Sequence, residues 1–459
     1  MRPLLFALSC CLCLPAAAEM RVPESQAEIR IGFVPVVQEA APAVVNIYAR
    51  RIVNVRASPF RNDPFFRDMF RDFGAPQQRI ENSLGSGVIL SSDGIVVSNY
   101  HVVGMATDIN VVLNDRREYS ARVLLSDEES DLAILKLDDA ENMPALGLRN
   151  SDTVQVGELV LAIGNPFGVG QTVTSGIVSG LARSGVATGS ARGYFIQTDA
   201  PINPGNSGGA LVDMKGRLIG INTRILSRSG GSNGIGFAIP SALVEQFVIQ
   251  AQAGKPTFER PWAGISGQPV MADMSDALGL DRPGGIVLSQ IHPRSRFAEA
   301  GFEPGDVITA VDGRPVNTAP EMIYRMSVAG FDQETRITRV RKGNSEEIAL
   351  RLGAAPNEPP RATLQTSADS AIPGMTVSTV NPSVIAEFGL PLMARGVVVD
   401  QPGRIGQRAG LQRGDILHEI NGVSVETGAD VEAQLSRRGR WLTLEVQRGT
   451  QRTSMRFRL

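Results

Sequence analysis

Cysteine is nearly missing from this sequence: the 459 residues include three, at positions 10, 11 and 13. The chain beyond residue 13 can therefore form no disulfide framework and no thiolate metal centre. Histidine is almost as scarce, with three residues, so no paired-histidine metal motif occurs, and the sequence contains no P-loop Gly-x-x-x-x-Gly-Lys motif for a nucleotide. We expect no metal and no other cofactor.

The sequence also has no excess of either charge. Its 45 basic and 47 acidic side chains leave a formal net charge of −2. Because non-specific binding to nucleic acid needs a strongly positive surface, we expect no nucleic-acid partner. Hydrophobic residues make up 42% and charged residues 20%, a composition that is typical of a folded protein and excludes a disordered chain.

Aromatic residues are few, at 5%, whereas glycine is frequent, with 48 residues. Few large core side chains and many tight turns favour β-rich modules over helix bundles. At roughly 150 residues per domain, the length of the chain corresponds to about three domains.

Long apolar runs are absent except at the N-terminus. A basic start at Arg2, the apolar run Leu4–Leu14 and the small residues Ala16–Ala18 describe a cleavable secretory signal. The run stops at Pro15, short of the ~20 apolar residues that a membrane span needs. We predict a signal peptide at 1–18 and export of the remaining chain.

Short alternating strands, separated by Gly or Asp turns, fill residues 83–240, and they predict an all-β sandwich or a pair of barrels. A phenylalanine-rich insertion without strand or helix periodicity precedes them at 54–82. A helix with Ser241 as its N-cap is predicted to follow, over Ser241–Ala253. Further along, residues 354–371 are rich in Ala, Pro, Ser and Thr, which indicates a linker between domains.

The C-terminal part contains an internal repeat. Gly301–Ile308 recurs as Gly410–Leu417 at an offset of 109 residues, and a second turn follows each copy. Two copies are too few for a solenoid, so they indicate two separate domains of one type, each with a strand, a short helix, a turn and a strand pair.

The most informative motif is the glycine-flanked serine in Asn203–Gly209. A nucleophilic serine needs an exposed hydroxyl on a backbone that presents N–H groups to a developing oxyanion, and flanking glycines permit this. A plain glycine-rich turn is one alternative. The α/β-hydrolase elbow is another, but it requires a strand before the serine and a later histidine. Pro201 and Pro204 interrupt such a strand, and the later histidines belong to the repeated domains.

A chymotrypsin-like order of His, Asp and Ser remains. His101 ends an apolar strand, upstream of Ser207. The acidic candidates between the two are Asp108, Asp115, Asp127, Asp131, Asp138 and Asp139. Asp131 is favoured because it leads into the buried strand Leu132–Leu135, and a carboxylate that orients an imidazole needs rigid, apolar surroundings. Asp127 is the second choice.

The segments Asn99–Val103, Ser130–Ala133 and Gly205–Leu211 resemble the three catalytic blocks of the HtrA/Deg serine proteases, and the repeat resembles their two PDZ domains. The resemblance runs from about residue 33 to 459, and the architecture is most similar to the bacterial periplasmic DegP/DegQ type. It implies an all-β protease domain, a chymotrypsin-like double β-barrel, followed by two α+β PDZ domains. The boundaries would be 19–255 for the protease domain, 256–353 and 372–459 for the PDZ domains.

The resemblance assigns roles to individual residues. Ser207 would be the nucleophile, His101 the general base and then acid, and Asp131 the residue that orients His101. The oxyanion hole would be framed by the N–H groups of Gly205, Asn206 and Ser207. The strand that pairs with substrate would comprise Thr223, Arg224, Ile225, Leu226 and Ser227. An S1 pocket for small or medium aliphatic side chains would be lined by Ile202, Leu226 and Ile235.

The resemblance also implies regulation and peptide capture. The insertion at 54–82 corresponds to the LA loop, which holds resting oligomers inactive, and Ser229–Gly234 to the regulatory loop L2. In the first PDZ domain, C-terminal peptides would be bound by the carboxylate loop Trp262, Ala263, Gly264 and Ile265. Its counterpart Ile372–Met375 loses an N–H donor at Pro373, so we expect a structural role there.

These implications define the expected function. The protein would be an ATP-independent serine endopeptidase that degrades unfolded or misfolded polypeptides in the periplasm, with chaperone activity beside it. It would assemble as a homotrimer or a larger trimer-based oligomer and associate weakly with membranes. The alternative is a periplasmic chaperone or scaffold with an inactive protease domain.

Overall fold

A computed structural model describes residues 32–54, 78–165, 170–184, 194–203, 205–225, 233–437 and 439–458. The predicted signal peptide and most of the phenylalanine-rich insertion lie outside these residues. The chain forms two compact units. The first contains the residues up to Val123, Asp131–Leu181 and Ile196–Ser241, and the second contains Leu124–Ser130, Ala182–Phe195 and Ala242–Leu459.

Six antiparallel strands close a first barrel in the order β1-β2-β3-β6-β5-β4. Helix α1 (Val34–Ala40) and a 3₁₀ turn (Ala41–Ala43) precede them, and the short helix α2 (Tyr100–Val103) follows β3. The strands are β1 (Val44–Asn54), β2 (Gln78–Ile89), β3 (Ile95–Ser98), β4 (Asp108–Val112), β5 (Glu118–Asp127) and β6 (Leu132–Leu137). All four residues of β3 are buried, and β6 is buried except at Lys136. The segments that carry His101 and Asp131 are therefore attached to strands of the barrel core.

A second barrel closes in the order β10-β11-β12-β9-β8-β7. Its strands are β7 (Leu159–Gly164), β8 (Thr172–Ser184), β9 (Tyr194–Thr198), β10 (Ala210–Asp213), β11 (Leu218–Ile225) and β12 (Gly236–Pro240). The pair of closed barrels confirms the all-β prediction for this part of the chain. Helix α3 (Ser241–Gln252) begins at Ser241 itself, whose hydroxyl donates to the carbonyl oxygen of Arg149 at 2.5 Å, whereas the sequence predicted that Ser241 would be the N-cap.

The first repeated domain is a sheet in the order β13-β14-β15-β17-β18, with β16 paired to β15, and three helices. Its elements are β13 (Ile265–Pro269), α4 (Ala272–Ser275), β14 (Ile286–Ile291), α5 (Arg296–Glu299), β15 (Val307–Val311), β16 (Arg314–Pro315), α6 (Ala319–Ala329), β17 (Glu334–Arg341) and β18 (Asn344–Arg351). Thr318 caps α6 by accepting a hydrogen bond from the N–H of Glu321.

The second repeated domain has the sheet order β19-β20-β21-β22-β24-β25, with β23 paired to β22. Its elements are β19 (Leu364–Gln365), β20 (Thr376–Thr379), α7 (Pro382–Phe388), β21 (Val397–Gln401), α8 (Gly403–Arg408), β22 (Ile416–Ile420), β23 (Val423–Ser424), α9 (Gly428–Leu435), β24 (Trp441–Arg448) and β25 (Gln451–Arg458). Strand β19 lies inside the predicted linker and pairs with β20, so the sheet begins before the expected boundary at 372.

The repeat motif has the same structure in both domains. Asp306 is buried and forms a bidentate ion pair with Arg341, which also donates to the carbonyl oxygen of Gly301. At the matching place Asp415 pairs with Arg448, which donates to Gly410. The aspartate of the repeated Gly-Asp motif therefore fastens the turn to the long hairpin that follows. Among the described residues, no helix is long and apolar enough to cross a membrane.

Candidate active site

His101 is the second residue of helix α2, whose N-cap is Asn99. Its Nδ1 is 2.9 Å from both carboxylate oxygens of Asp131, and its backbone N–H donates to Asp131 Oδ1 at 3.1 Å. The imidazole is 49% exposed, whereas the Asp131 side chain is 6% exposed. The Nδ1 edge of the ring is thus held by a buried acid, while the rest of the imidazole is accessible to a reacting group.

Asp131 sits in the turn before β6 with φ +55°, a left-handed conformation that is unusual for a residue other than glycine. Asn99 Nδ2 donates to its carbonyl oxygen at 2.9 Å, and Thr223 Oγ1 donates to its Oδ2 at 2.6 Å. Burial raises the pKa of Asp131, but the hydrogen bonds and charge of His101 and the hydroxyl of Thr223 lower it by more. The acid therefore carries a negative charge beside the imidazole.

Ser207 lies in the tight turn between Gly205 and Gly208, which have φ +97° and +83°. A Cβ atom at Gly208 would lie 2.0 Å from the carbonyl oxygen of Ser86, so the backbone contact excludes a larger residue. The Ser207 hydroxyl donates to the carbonyl oxygen of Thr223 at 3.0 Å. Thr223 consequently contacts both Ser207 and Asp131.

The backbone around Ser207 presents two N–H groups. Those of Gly205 and Ser207 have no acceptor among the described residues. The N–H of Asn206 donates instead to the carbonyl oxygen of Asn203 at 3.0 Å, so the expectation that it frames an oxyanion hole is corrected. Ser86, which sequence reasoning missed, orients the turn: its hydroxyl donates to Gly205 O at 2.6 Å.

Strand β11 leaves a backbone edge beside Ser207. Its partner β10 begins at Ala210, which pairs with Ile221, so Thr223–Ile225 continue beyond the end of β10. On the other side, Arg224 and Ile225 pair with β12. The expected substrate strand is thus paired along one edge, and its last two residues, Leu226 and Ser227, lie outside the described residues, as does Ser229–Ser232 of the expected L2 loop.

The three residues expected in the S1 pocket have different positions. Ile202 is 1% exposed and packs in the core of the second barrel, where a Cβ atom at Gly236 would lie 2.7 Å from its Cδ1. Ile235, next to Gly236, is half-buried. Leu226 lies outside the part of the chain that the structure describes.

The loop that was expected to bind a carboxylate in the first repeated domain has two N–H groups without a partner among the described residues. The N–H groups of Ala263 and Gly264 meet no acceptor in the described part of the chain, and His292 N donates to the carbonyl oxygen of Gly264 at 2.8 Å. The Trp262 ring lies close to Gly264, where an added Cβ would be 2.6 Å from the ring, and it meets the His292 ring edge-on, with centroids 5.5 Å apart. Ile265 begins β13.

The corresponding loop of the second domain is closed by Thr366. The N–H of Gly374 donates to the carbonyl oxygen of Thr366 at 3.2 Å, and that of Met375 donates to Thr366 Oγ1 at 2.9 Å. The Thr366 hydroxyl in turn donates to Ile372 O at 2.6 Å. The N–H groups of Gly374 and Met375 are therefore used within the fold.

Comparison with protein families places three domains on the chain. A trypsin-like peptidase domain matches residues 85–221, and PDZ domains match residues 264–352 and 397–448. The family boundaries enclose Ser207, His101 and Asp131 in the first match and most of each repeated domain in the other two.

Curated relatives align over most of the chain. The periplasmic pH-dependent serine endoprotease DegQ of Escherichia coli is 35% identical over 424 residues, covering 92% of this chain and 90% of the relative. The periplasmic serine endoprotease DegP of the same species is 38% identical, covering 85% and 80%. A probable periplasmic DegP-like endoprotease of Marinomonas is 37% identical, covering 87% of each.

Solved structures extend the similarity to the fold. The HtrA-type protease AlgW with decapeptide is 41% identical, covers 71% of this chain and 99% of that chain, and has a TM-score of 0.53. The AlgW structure with tripeptide is 38% identical with the same coverage and a TM-score of 0.54.

Proposed function

This chain belongs to the HtrA/Deg family of serine endoproteases, and on that premise we propose that it is an exported, ATP-independent protease of unfolded polypeptides in the periplasm. Its relatives are periplasmic proteases, and the predicted signal peptide at 1–18 would deliver it to that compartment. The observation that carries the proposal is the chain of contacts that runs from His101 to Asp131, from Asp131 to Thr223 and from Thr223 to Ser207.

The proposed reaction is acyl transfer to Ser207. His101 accepts the Ser207 proton as the hydroxyl oxygen attacks the scissile carbonyl carbon, and it then donates that proton to the leaving amine. Water hydrolyses the acyl-enzyme by the same steps. Because the hydroxyl donates to Thr223 O at 3.0 Å, it has to turn from that oxygen to the imidazole before it attacks.

Asp131 and two N–H groups would complete the machinery. The ionised Asp131 holds the imidazole with Nδ1–H towards itself, which leaves Nε2 to exchange the proton with Ser207. The N–H groups of Gly205 and Ser207 are the donors we assign to the oxyanion hole. Removal of one such donor typically costs about a hundredfold or more in rate.

Substrate would bind at two places. An extended segment would pair with the backbone edge of Thr223–Ile225, with a small or medium aliphatic side chain near Ile202 and Ile235. A C-terminal carboxylate would be captured by the N–H groups of Ala263 and Gly264. The AlgW structures with tripeptide and decapeptide support peptide binding by proteins of this kind.

Regulation would depend on oligomers. We assign the insertion at 54–82 to an inhibitory LA loop, Ser229–Gly234 to loop L2, and the working form to a homotrimer or a larger trimer-based assembly. Chaperone activity and weak membrane association belong to the same proposal.

Digestion of casein by the mature protein, beside a Ser207→Ala variant, tests the proposed function. We expect cleavage by the wild type and none by the variant, which should still fold and bind unfolded casein. Equal cleavage by both proteins would refute the assignment of Ser207. Binding of casein without cleavage by the wild type would indicate a chaperone or scaffold with an inactive protease domain.

A further inference from the structure

Arg260 binds the turn that leads to the catalytic acid. Its guanidinium donates to Asp127 Oδ1 at 3.1 Å and to Asp127 Oδ2 at 2.5 Å, and Nη2 also donates to Ser130 Oγ at 2.6 Å. The carboxylate of Glu129 lies 3.5 Å from Nη1. A single cation therefore holds three side chains of the four-residue turn Asp127–Ser130.

The pair is largely removed from water. The Arg260 side chain is 20% exposed and that of Asp127 is 14% exposed, and the guanidinium lies 5.3 Å from the centroid of the Phe258 ring. Burial lowers the pKa of Arg260, but the hydrogen bonds and charges of Asp127 and Glu129 raise it by more. A bidentate, largely buried pair of this kind depends on the planar fork of arginine, which lysine does not have.

Arg260 is itself held in place from its own segment. Phe258 stacks on Phe247 of helix α3 with ring centroids 4.0 Å apart. The side chain of Gln250 accepts from Glu259 N at 2.8 Å and donates to Glu259 O at 2.9 Å. These contacts fix the segment that carries Arg260, so the guanidinium is held in place independently of the turn that it binds.

The turn ends at Asp131, whose backbone has an unfavourable left-handed conformation. Asp127 Oδ2 also accepts the N–H of Ser130 at 2.7 Å, and the next residue is Asp131, with φ +55°. A left-handed conformation of a residue other than glycine is unfavourable and persists only where the surrounding contacts fix it. Ser130 is directly bonded to Asp131. The contacts of Arg260 with the turn therefore restrict the backbone conformations that are available to Asp131.

We propose that Arg260 is a positioning residue for the catalytic acid: it fixes the Asp127–Ser130 turn so that Asp131 keeps the backbone conformation that directs its carboxylate to His101. Asp127, the second candidate for the catalytic acid in the sequence, then serves the triad indirectly, as the partner of Arg260. The inference rests on the proposed protease function.

The test compares Arg260→Ala and Arg260→Lys with Arg448→Ala. Arg448 is a matched control because it also forms a bidentate pair with a buried aspartate, Asp415, in the second PDZ domain. The substrate is a short chromogenic peptide with valine before the scissile bond. The concentration of active sites is measured with a fluorophosphonate, so that loss of folded protein is separated from loss of rate.

We expect Arg260→Ala to lower kcat per labelled site by about tenfold to a hundredfold, the range for a small misplacement of a catalytic group, with KM within twofold. Arg260→Lys should recover only part of the loss, and Arg448→Ala should stay within twofold of the wild type. The acid limb of the pH–rate profile should also move, because Asp131 would no longer keep the same contacts with His101 and Thr223.

An unchanged kcat per labelled site with an unmoved acid limb in Arg260→Ala would overturn the inference. If that variant does not fold, Ser130→Ala removes one contact of the guanidinium at lower cost, and wild-type kcat and pH profile there would overturn it equally. A wild type that neither cleaves the peptide nor reacts with the fluorophosphonate would instead refute the proposed function.

Discussion

Among single residues, Thr223 contacts two members of the proposed catalytic triad. Its side-chain hydroxyl donates to Asp131, and its carbonyl oxygen accepts from Ser207. A change in the backbone of β11 at this residue would therefore move the acid and release the nucleophile together. Because substrate is expected to pair with the same strand, binding and alignment of the triad share one structural element.

Replacement of Thr223 by valine tests the first of these contacts. Valine has nearly the same shape but leaves Asp131 Oδ2 without its 2.6 Å hydrogen bond. Loss of a buried donor to a charged acceptor costs about 1–3 kcal/mol, so kcat should fall by roughly five- to 160-fold. Thr198→Val, which alters a buried threonine of β9, is the control. Equal kcat values for the two variants would contradict the role of the hydroxyl.

The pH dependence should separate activity from folding. The pKa of Asp131 is lowered, so the ionised acid stabilises the fold above the ordinary value of ~3.9, and this stabilisation is lost only as the pH falls through the lower pKa of the folded state. The proposed reaction needs an unprotonated base, and histidine is the most common proton acceptor near neutral pH. We expect kcat/KM to fall between about pH 7 and pH 5 while circular dichroism stays constant. Coincident loss of activity and structure would exclude this account.

At the scale of the structural element, the ion pair between aspartate and arginine is repeated in the two PDZ domains. In the first, burial raises the pKa of Asp306, but Arg341 and the surrounding hydrogen bonds lower it by more. The carboxylate is charged and fastens the turn after the short helix to the neighbouring hairpin. Each pair belongs to its own sheet, so the two domains should lose stability independently.

The two tryptophans allow each domain to be observed separately. Trp262 lies in the first PDZ domain and Trp441 in the second, and the chain has no others. We expect Asp306→Asn to lower the denaturation midpoint reported by Trp262 in a Trp441→Phe background, with a cost of about 1–3 kcal/mol. Asp415→Asn should affect only the Trp441 signal in a Trp262→Phe background. A shift of both signals by either substitution would show that the domains unfold together.

Local patterns predicted much of this architecture, because strand alternation, flanking glycines and the repeat are encoded by neighbouring residues. The order of His101, Asp131 and Ser207 could be inferred in the same way. The contacts of Ser86 with Gly205 and of Arg260 with Asp127 join residues 119 and 133 positions apart, and no periodicity marks such pairs. Likewise, the resemblance implied that the N–H of Asn206 would help to frame an oxyanion hole, but the turn directs this N–H to the carbonyl oxygen of Asn203.

At the scale of the whole molecule, the two PDZ domains differ at the loop that precedes the first long strand, despite their common fold. The loop of the first leaves the N–H groups of Ala263 and Gly264 without acceptors among the described residues, whereas Thr366 occupies the donors of the second. Capture of C-terminal peptides would therefore fall to the first domain. The protease barrels supply the chemistry on the same chain.

The phenylalanine-rich insertion should restrain the whole assembly. Asn54 pairs with Gln78 at the base of the β1–β2 hairpin, so residues 55–77 can be replaced by an Asn-Gly turn that preserves the register. The segment contains five phenylalanines, at 60, 65, 66, 70 and 73, and such an apolar group needs a partner. We expect the replacement to raise the initial rate of casein cleavage, with oligomer size measured on both proteins. A folded, oligomeric variant with no gain in rate would exclude an inhibitory role.

The most direct test of the account is the site of covalent modification by a fluorophosphonate, determined by mass spectrometry of the mature protein in the presence of unfolded casein. The account predicts one adduct per chain, on Ser207, and its loss in His101→Ala, because the hydroxyl then has no base. Casein cleavage by a protein that carries no adduct, or that carries it on another residue, would contradict the assignment of Ser207 as the nucleophile of this protease.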